Sequence, residues 1–502
     1  MRRSGILMPI TSLPSPYGVG TLGQCARDFI CFLEKAGQTY WQILPIGPTG
    51  YGDSPYQPSS SYAGNPYMID LEELTKDHLL SKKEYDSINW GDRDNLVDYG
   101  ILYEKRLAVL KPACDEARKK LHSEYSKFTK QQSYWLDDYA LFMAIKKHYG
   151  GVSQVEWPMD IRKRDPEAMK YYTELLQDDI LFYKTVQFLF FRQWDALKSF
   201  AKKHHILLIG DIPIYIGLDS SDVWAHPEEF QLDKNLLPIE VAGCPPDGFS
   251  AEGQLWGNPL FDWKHMKKDG FTWWISRIRY QTQIYDYLRI DHFRGFDSYY
   301  AIPASETTAC NGVWKKGPGI ALFKALKKEL GELPIIAEDL GFLTPSVHKL
   351  LSDTGFPGMK VLEFAFDSRD TGSGYLPHCY ANNCIVYTGT HDNDTILGWE
   401  KTAPKEDIAY AKDYLNYQEN EEAFNWCMMR TALSSVADTA ILQMPDLLDL
   451  GSEGRINIPS TIGGNWVWRC LPGDYNDELA NRLHHLTSLY GRVPKDETIS
   501  SK

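Results

Sequence analysis

Short apolar runs rich in β-branched and aromatic residues recur along the chain, without the strict alternation of a half-exposed strand. They cover residues 5–10, 40–45, 206–211, 287–291, 333–338, 359–364, 384–388 and 440–444. A strand covered on both faces reads this way. Between several runs the period changes to that of a helix. Cys25, Phe29, Phe32, Leu33 and Ala36 share one helical face, and Gly37 supplies a stop. Residues 185–203 place Val186, Leu189, Phe190, Trp194 and Leu197 along one side of a long helix, and Ser346 is placed to cap a helix ending near Leu351. Eight strands alternating with helices predict an α/β fold, a (β/α)8 TIM barrel.

Such a barrel needs ~250 residues, and the chain has 502. The surplus falls at about 70–184, charged and helix-rich with the block Tyr134 to Phe142, and at about 220–271, rich in Pro, Gly and Trp. Both stretches follow barrel strands. They are expected as large, mainly helical insertions on the C-terminal face of the strands, the second as a loop-rich active-site wall. Residues 1–502 read as a single catalytic barrel carrying these two insertion subdomains. The polar tail after Arg492 is expected to fray.

Four strand ends carry acids: Asp211, Asp291, Glu338 and, after the seventh run, Asp392. In a barrel of parallel strands these ends converge on one face, which suggests a site that breaks or makes glycosidic bonds. Cleavage with retention needs two carboxyls about 5–5.5 Å apart. Asp291 and Glu338 close successive strands and should be neighbours. Arg289, His292 and Arg294 flank Asp291, so its pKa should fall, as suits a nucleophile. Glu338 follows Ile335, Ile336 and Ala337, and apolar packing beside an anion should make it a proton donor. A buried ion network tying loops together is the structural alternative for Arg289, Asp291 and Arg294. Asp392 and His391 are placed to bond sugar hydroxyls; the alternative for Asp392 is a helix cap, for which Asp394 is nearer the helix. Asp211 either positions Asp291, contacts sugar or is structural.

Two loops dense in Gly and Pro look like ligand walls. The first, 47–57, holds Tyr51, Ser54 and Tyr56. The second, 241–259, holds Phe249, Gln254 and Trp256. Gly18, Gly20 and Gly23 satisfy G-x-G-x-x-G, yet residues 11–17 separate them from the strand and no acid lies about 20 residues beyond, so a dinucleotide site is not expected.

Composition narrows the partners. A net charge of −14 argues against a general nucleic-acid binder. Aromatics at 13% suit either a sugar ligand or a large core. Nine cysteines, with no C-x-x-C and no zinc spacing, fit reduced thiols in a cytoplasmic protein, and glycosidic chemistry by two carboxyls calls for no metal or organic cofactor. The apolar stretch after Arg2 and Arg3 is too short for a secretion signal, and no run approaches the ~18 residues of a membrane span.

Several blocks, spread over nearly the whole chain, resemble the 4-α-glucanotransferases of the amylomaltase (disproportionating enzyme) family, glycoside hydrolase family 77. They are Thr11 to Pro14, Trp41-Gln42, the 47–57 loop, Ala63 to Pro66, Trp224 to Pro227, the 241–259 loop, and residues 289–296, 337–341, 387–395 and 455–457. The resemblance implies that Asp291 is the nucleophile, Glu338 the acid/base and Asp392 the transition-state stabiliser. It implies donor-sugar contacts from Asp211, Arg289, His292, His391 and Asn457, and glucan contacts from Ser54, Tyr56, Phe249, Gln254 and Trp256. Tyr51 matches a secondary glucan site of some members. Some members carry Tyr where Gly248 stands, so acceptor contacts should be thinner in this chain. The implied partners are α-1,4-glucans and maltooligosaccharides, with no nucleic acid and no membrane. An α-amylase-type hydrolase is the alternative in chemistry, a non-catalytic glucan-binding protein the alternative in class, and a nicotinamide enzyme a distant third.

Overall fold

The computed structural model describes residues 2–50, 52–246, 250–341, 343–370 and 372–494. The last eight residues of the polar tail lie outside the described residues. All eight apolar runs form strands: β1 (Arg3–Leu7), β2 (Tyr40–Gln42), β3 (Leu207–Pro213), β4 (Tyr287–Asp291), β5 (Ile335–Ala337), β6 (Gly358–Val361), β7 (Cys384–Tyr387) and β8 (Thr439–Gln443). They pair in parallel in the order β6-β7-β8-β1-β2-β3-β4-β5. The two edges approach each other, so the sheet is a nearly closed barrel. Ala337 N–H donates to the carbonyl of Pro357 at 3.0 Å, and Met359 N–H to Asp339 Oδ1 at 2.6 Å.

Strand ends shift where backbone chemistry dictates. Pro9 stops the first run at Leu7 and starts a short 3-10 turn, Ile10–Ser12. Pro334 delays the fifth until Ile335. The sixth ends at Val361, and Leu362–Phe364 turns into 3-10 geometry. Ile6, Leu208, Leu288, Ile290, Ile336, Val386 and Leu442 are fully buried, as apolar-throughout strands require. Gly210 is needed in β3 because a Cβ there would lie 2.2 Å from the Tyr285 ring.

The expected helices form with altered ends. Gln24–Lys35 carries the first apolar face, and Gly37 follows it at φ 67°. The helix before β3 spans Gln177–Lys203 and runs unbroken through residue 184. Ser346 is not a cap: Thr344 holds that position before Pro345–Thr354, while Ser346 donates to Asp297 Oδ2 at 2.8 Å. The G-x-G-x-x-G glycines serve packing. A Cβ at Gly20 would strike the carbonyl of Ile10, and one at Gly23 the Asp70 carboxylate.

Between β2 and β3 lie the helices Leu71–Lys76, Tyr99–Lys120, His122–Gln131, Ser133–His148, Met159–Arg162 and Pro166–Leu175. Phe142, Trp157, Ile161, Tyr172 and Tyr183 form a separate apolar cluster there, joined by Trp224 from the stretch after β3. The expectation of mainly helical insertions misses one element. Glu240–Cys244 and Gln254–Pro259 pair antiparallel with each other, and Ser298–Pro303 and Val313–Lys316 extend them into a four-stranded sheet. Its strands come from both sides of β4 and are broken by Gly243, Gly257 and Pro259, so no local pattern announces them. Among the described residues no helix is long and apolar enough to cross a membrane.

At the opposite end of the barrel Arg492 is fully buried. Its guanidinium donates to the carbonyls of Leu433 (2.7 Å), Arg3 (2.8 Å) and Ala437 (2.9 Å), which ties the segment after the helix Asp477–Leu489 to the entry of β1. Arg492→Met should therefore cost about 3 kcal/mol by leaving buried carbonyls unpaired. Thermal denaturation should show the loss, while kinetics at 25 °C stay as in the parent.

Candidate active site

Strand register decides which side chains meet. β3 and β4 pair Asp211 with Arg289 and Pro213 with Asp291; β4 and β5 pair Ile290 with Ala337. Asp291 and Glu338 therefore follow side by side, and Glu338 N–H donates to the carbonyl of Ile290 at 3.1 Å. Arg289 and Asp291, two residues apart, share one face of β4. The buried Arg289 guanidinium bridges two strand ends: Nη1 donates to Asp211 Oδ2 at 2.6 Å and Nη2 to Asp291 Oδ1 at 3.0 Å.

The electrostatics of Asp291 reverse the expectation. Its pKa is raised, because burial outweighs the Arg289 cation, and the anions of Glu338 and Asp392 push the same way. Arg294 lies over the Trp314 ring, 3.9 Å from its centroid. Asp211, wholly buried, is pushed up to about 7 by burial in spite of Arg289. Both carboxylate oxygens of Glu338 are held by main chain. His292 N–H donates to its Oε2 at 2.6 Å and Leu340 N–H to its Oε1 at 2.8 Å. The left-handed backbone of His292, φ 54°, turns the chain sharply between Asp291 and that contact.

After β7 the chain delivers His391 and Asp392. Asn457 Nδ2 donates to Asp392 Oδ1 at 2.6 Å, and Arg455 Nη2 to the Asp392 carbonyl at 2.8 Å. Burial raises the Asp392 carboxyl as well. Asp392 is not the helix cap, and neither is Asp394. Thr395 caps Ile396–Thr402 by accepting Gly398 N–H at 3.0 Å, and Asp394 sits one residue earlier, accepting from Thr395 N–H and Ser452 Oγ. His391 is buried and stacks on Tyr56, with centroids 4.7 Å apart and planes at 19°. Tyr56 Oη donates to Asp211 Oδ2 at 2.8 Å and lies 3.2 Å from His391 Nδ1. Burial and Arg289 hold the His391 imidazole down to about 3, and burial holds His292 down to about 4. Both rings are neutral at pH 7.

These groups line an open cleft of about 230 Å3. Ser54, Tyr56, Gln254, Trp256, Asp291, His292, His391, Asp392 and Asn457 all face it. Asp211 and Arg289 lie buried beneath its floor. Glu338 is tied to it through His292. Tyr51, Gly248 and Phe249 lie outside the described residues. Trp256 meets His292 edge-on at 4.9 Å and donates Nε1–H to Gln254 Oε1 at 3.0 Å. The cleft also takes in Tyr215, Asn258, Ser460 and Trp466, which sequence reasoning did not single out as site residues. The signal for Tyr215 was its place just after the Asp211 strand. Trp466, tilted against both Tyr56 and His391 with centroids 5.8 Å away, had no strand-end or motif to mark it. Among the described residues no group of three or more His, Cys, Asp or Glu side chains is arranged to hold a metal ion.

Comparison with known proteins agrees with this arrangement. A family model described as 4-alpha-glucanotransferase, glycoside hydrolase family 77, matches residues 8–473. A 4-alpha-glucanotransferase of Clostridium butyricum is 49% identical over 97% of this chain and 100% of its own length, and one of Streptococcus pneumoniae is 46% identical over 98% of both. The solved amylomaltase of Streptococcus agalactiae, in complex with acarbose, superposes with a TM-score of 0.96 at 43% identity, covering 98% of this chain and 100% of that one. Such identity over nearly the full length, on the same barrel, establishes that the chain belongs to glycoside hydrolase family 77 and is an enzyme of its 4-alpha-glucanotransferase activity.

Proposed function

We propose that the transfer runs by double displacement at Asp291 and Glu338, on α-1,4-glucans and maltooligosaccharides. Glu338 gives a proton to the glycosidic oxygen while an Asp291 oxygen attacks the anomeric carbon. The C–O bond to the leaving glucan breaks as the Asp291–carbon bond forms, with inversion. The leaving glucan departs with the proton. Glu338, now ionised, takes a proton from the 4-OH of an incoming glucose or glucan. That oxygen displaces Asp291, and the second inversion restores the α-linkage. The observation that carries this reading is the in-register pairing of Ile290 with Ala337, which sets the two acids on neighbouring strand ends.

The surrounding groups serve the same chemistry. Arg289 holds Asp291 by one oxygen. Asp392, oriented by Asn457, is placed to bind hydroxyls of the reacting sugar. Tyr56, Gln254, Trp256 and Ser54 give the cleft an aromatic and hydrogen-bonding wall for the glucan. Phe249 is assigned to the same wall, and Tyr51 to a secondary glucan contact, by family resemblance. The acarbose bound by the S. agalactiae relative supports a maltooligosaccharide-type ligand. The chain is read as one catalytic barrel, 1–502, with insertion subdomains at about 70–184 and 220–271, and its cysteine usage favours a cytoplasmic setting. Insertions over the strand ends would exclude water, so that a sugar hydroxyl resolves the intermediate.

Maltotriose as sole substrate should yield glucose and longer oligomers with little gain in reducing ends. A steady rise in reducing ends would mean hydrolysis. Asp291→Asn and Glu338→Gln should each lower kcat by roughly a thousand-fold or more with circular dichroism unchanged.

Acidification protonates Asp291 and removes the nucleophile. Because its pKa is raised, the acidic limb of kcat/KM should lie above the ordinary carboxylate range. Arg289→Gln removes the opposing cation. It should move that limb to still higher pH and lower kcat/KM by about a hundred-fold.

Tyr56 has one hydroxyl proton and spends it on Asp211, so its oxygen accepts from His391 Nδ1–H. Nε2, 3.4 Å from Asp392 Oδ1, is left to accept from a sugar hydroxyl. Nitrogen-15 NMR of the imidazole at pH 5 should show a neutral ring protonated at Nδ1. A charged ring would remove this assignment.

A further inference from the structure

The three acids of the site are not held alike. Asp291 ends β4 and Glu338 directly follows β5, so strand pairing fixes the main chain at both. Asp392 lies on a loop beyond β7, which ends at Tyr387. That loop makes its own turn: Asn393 Oδ1 accepts from Thr390 N–H at 2.9 Å and from Thr390 Oγ1 at 2.8 Å. Such bonds fix the shape of the loop, not its place over the cleft. A carboxylate that opens on the cleft needs a hold from outside its own loop.

That hold comes from the segment after β8. Arg455 follows the short 3-10 turn Ser452–Gly454 and spreads one guanidinium over three partners. Nη2 donates to the carbonyl of Asp392 at 2.8 Å, Nε donates to the carbonyl of Asn457 at 2.8 Å, and Nη1 stands 3.9 Å from Asp394 Oδ2. The same Asp394 oxygen accepts from Ser452 Oγ at 2.7 Å. The two carbonyls that Arg455 grips belong to the two partners of one further bond, from Asn457 Nδ2 to Asp392 Oδ1 at 2.6 Å.

A guanidinium is planar, and its N–H directions are fixed relative to one another. Bonds from Nε and Nη2 therefore lock the main chain at 457 against the main chain at 392. The Asn457 amide then meets one carboxylate oxygen of Asp392 and leaves the other for a sugar. Neither residue sets this distance alone, since each stands on a loop outside any strand. Lysine would carry the charge without the fixed angle between two donors. Arg455 itself does not line the cleft.

We propose that Arg455 is a positioning residue for glucan transfer: by gripping the carbonyls of Asp392 and Asn457 together, it sets the Asp392 carboxylate against the reacting sugar. This rests on the reading that Asp392 binds hydroxyls of that sugar.

The test is a set of variants assayed on maltotriose. Misplacing a catalytic group by about 1 Å costs on the order of a hundredfold, so Arg455→Ala should lower kcat about thirty- to hundredfold with KM within about twofold. Arg455→Lys should stay within about threefold of Arg455→Ala, because charge without the fork does not restore the angle. Arg455 and Asn457 act on the same carboxylate, so the double variant Arg455→Ala with Asn457→Ala should be no more than about threefold slower than the slower single variant. A merely structural role would multiply the two losses. A multiplied loss overturns the proposal. So does full activity in Arg455→Lys, or a kcat for Arg455→Ala within about threefold of the parent. Should Arg455→Ala not fold, Arg455→Lys takes its place in the double variant and is judged by the same rule. Failure of the underlying reading looks different: Asp392→Ala would keep the parent's kcat.

Discussion

A guanidinium buried between two carboxylates governs this site. Arg289 ties the end of β3 to the end of β4, and its charge makes the burial of Asp211 and Asp291 tolerable. From Asp211 the bonds continue through Tyr56 to His391. One cation therefore reaches the nucleophile, the first wall loop and the histidine beside Asp392. A lysine could supply charge there, but not two fixed N–H vectors to carboxylates on different strands.

The effect of that cation is to limit a shift, not to impose one. Asp291 stands near two other acids in a cleft surrounded by protein, and desolvation wins over attraction. The site thus keeps a nucleophile whose proton affinity is high for a carboxylate. Glu338 is held differently, by two backbone N–H groups that fix where its oxygens sit. Position is set by main chain for one acid and by a side-chain ion pair for the other.

Much of this was legible in the sequence. A strand buried on both faces has no polar positions to spare, so all eight were marked, and an acid at the end of such a run stands out. Register then made Asp291 and Glu338 neighbours by a rule that needs only strand order. The direction of the Asp291 shift was not legible, because it sums contributions from residues far away in the chain, of which Arg289 and His292 were merely the nearest in sequence. The four-stranded wall was hidden for a similar reason: residues 240–259 and 298–316 complete each other across β4. Asn457 and Trp466 were equally silent as local text; resemblance pointed to the first and nothing to the second.

The barrel's incomplete closure falls between β5 and β6, beside Glu338 and its neighbour Asp339. The other neighbouring strands pair in register over three to five residues, whereas this junction leans on the bond from Ala337 N–H to Pro357 and the one from Met359 N–H to the Asp339 side chain. Thermal breathing would open there first. Heat would then disturb proton delivery before it loosened the nucleophile, and turnover would fade while the ring of strands still stood.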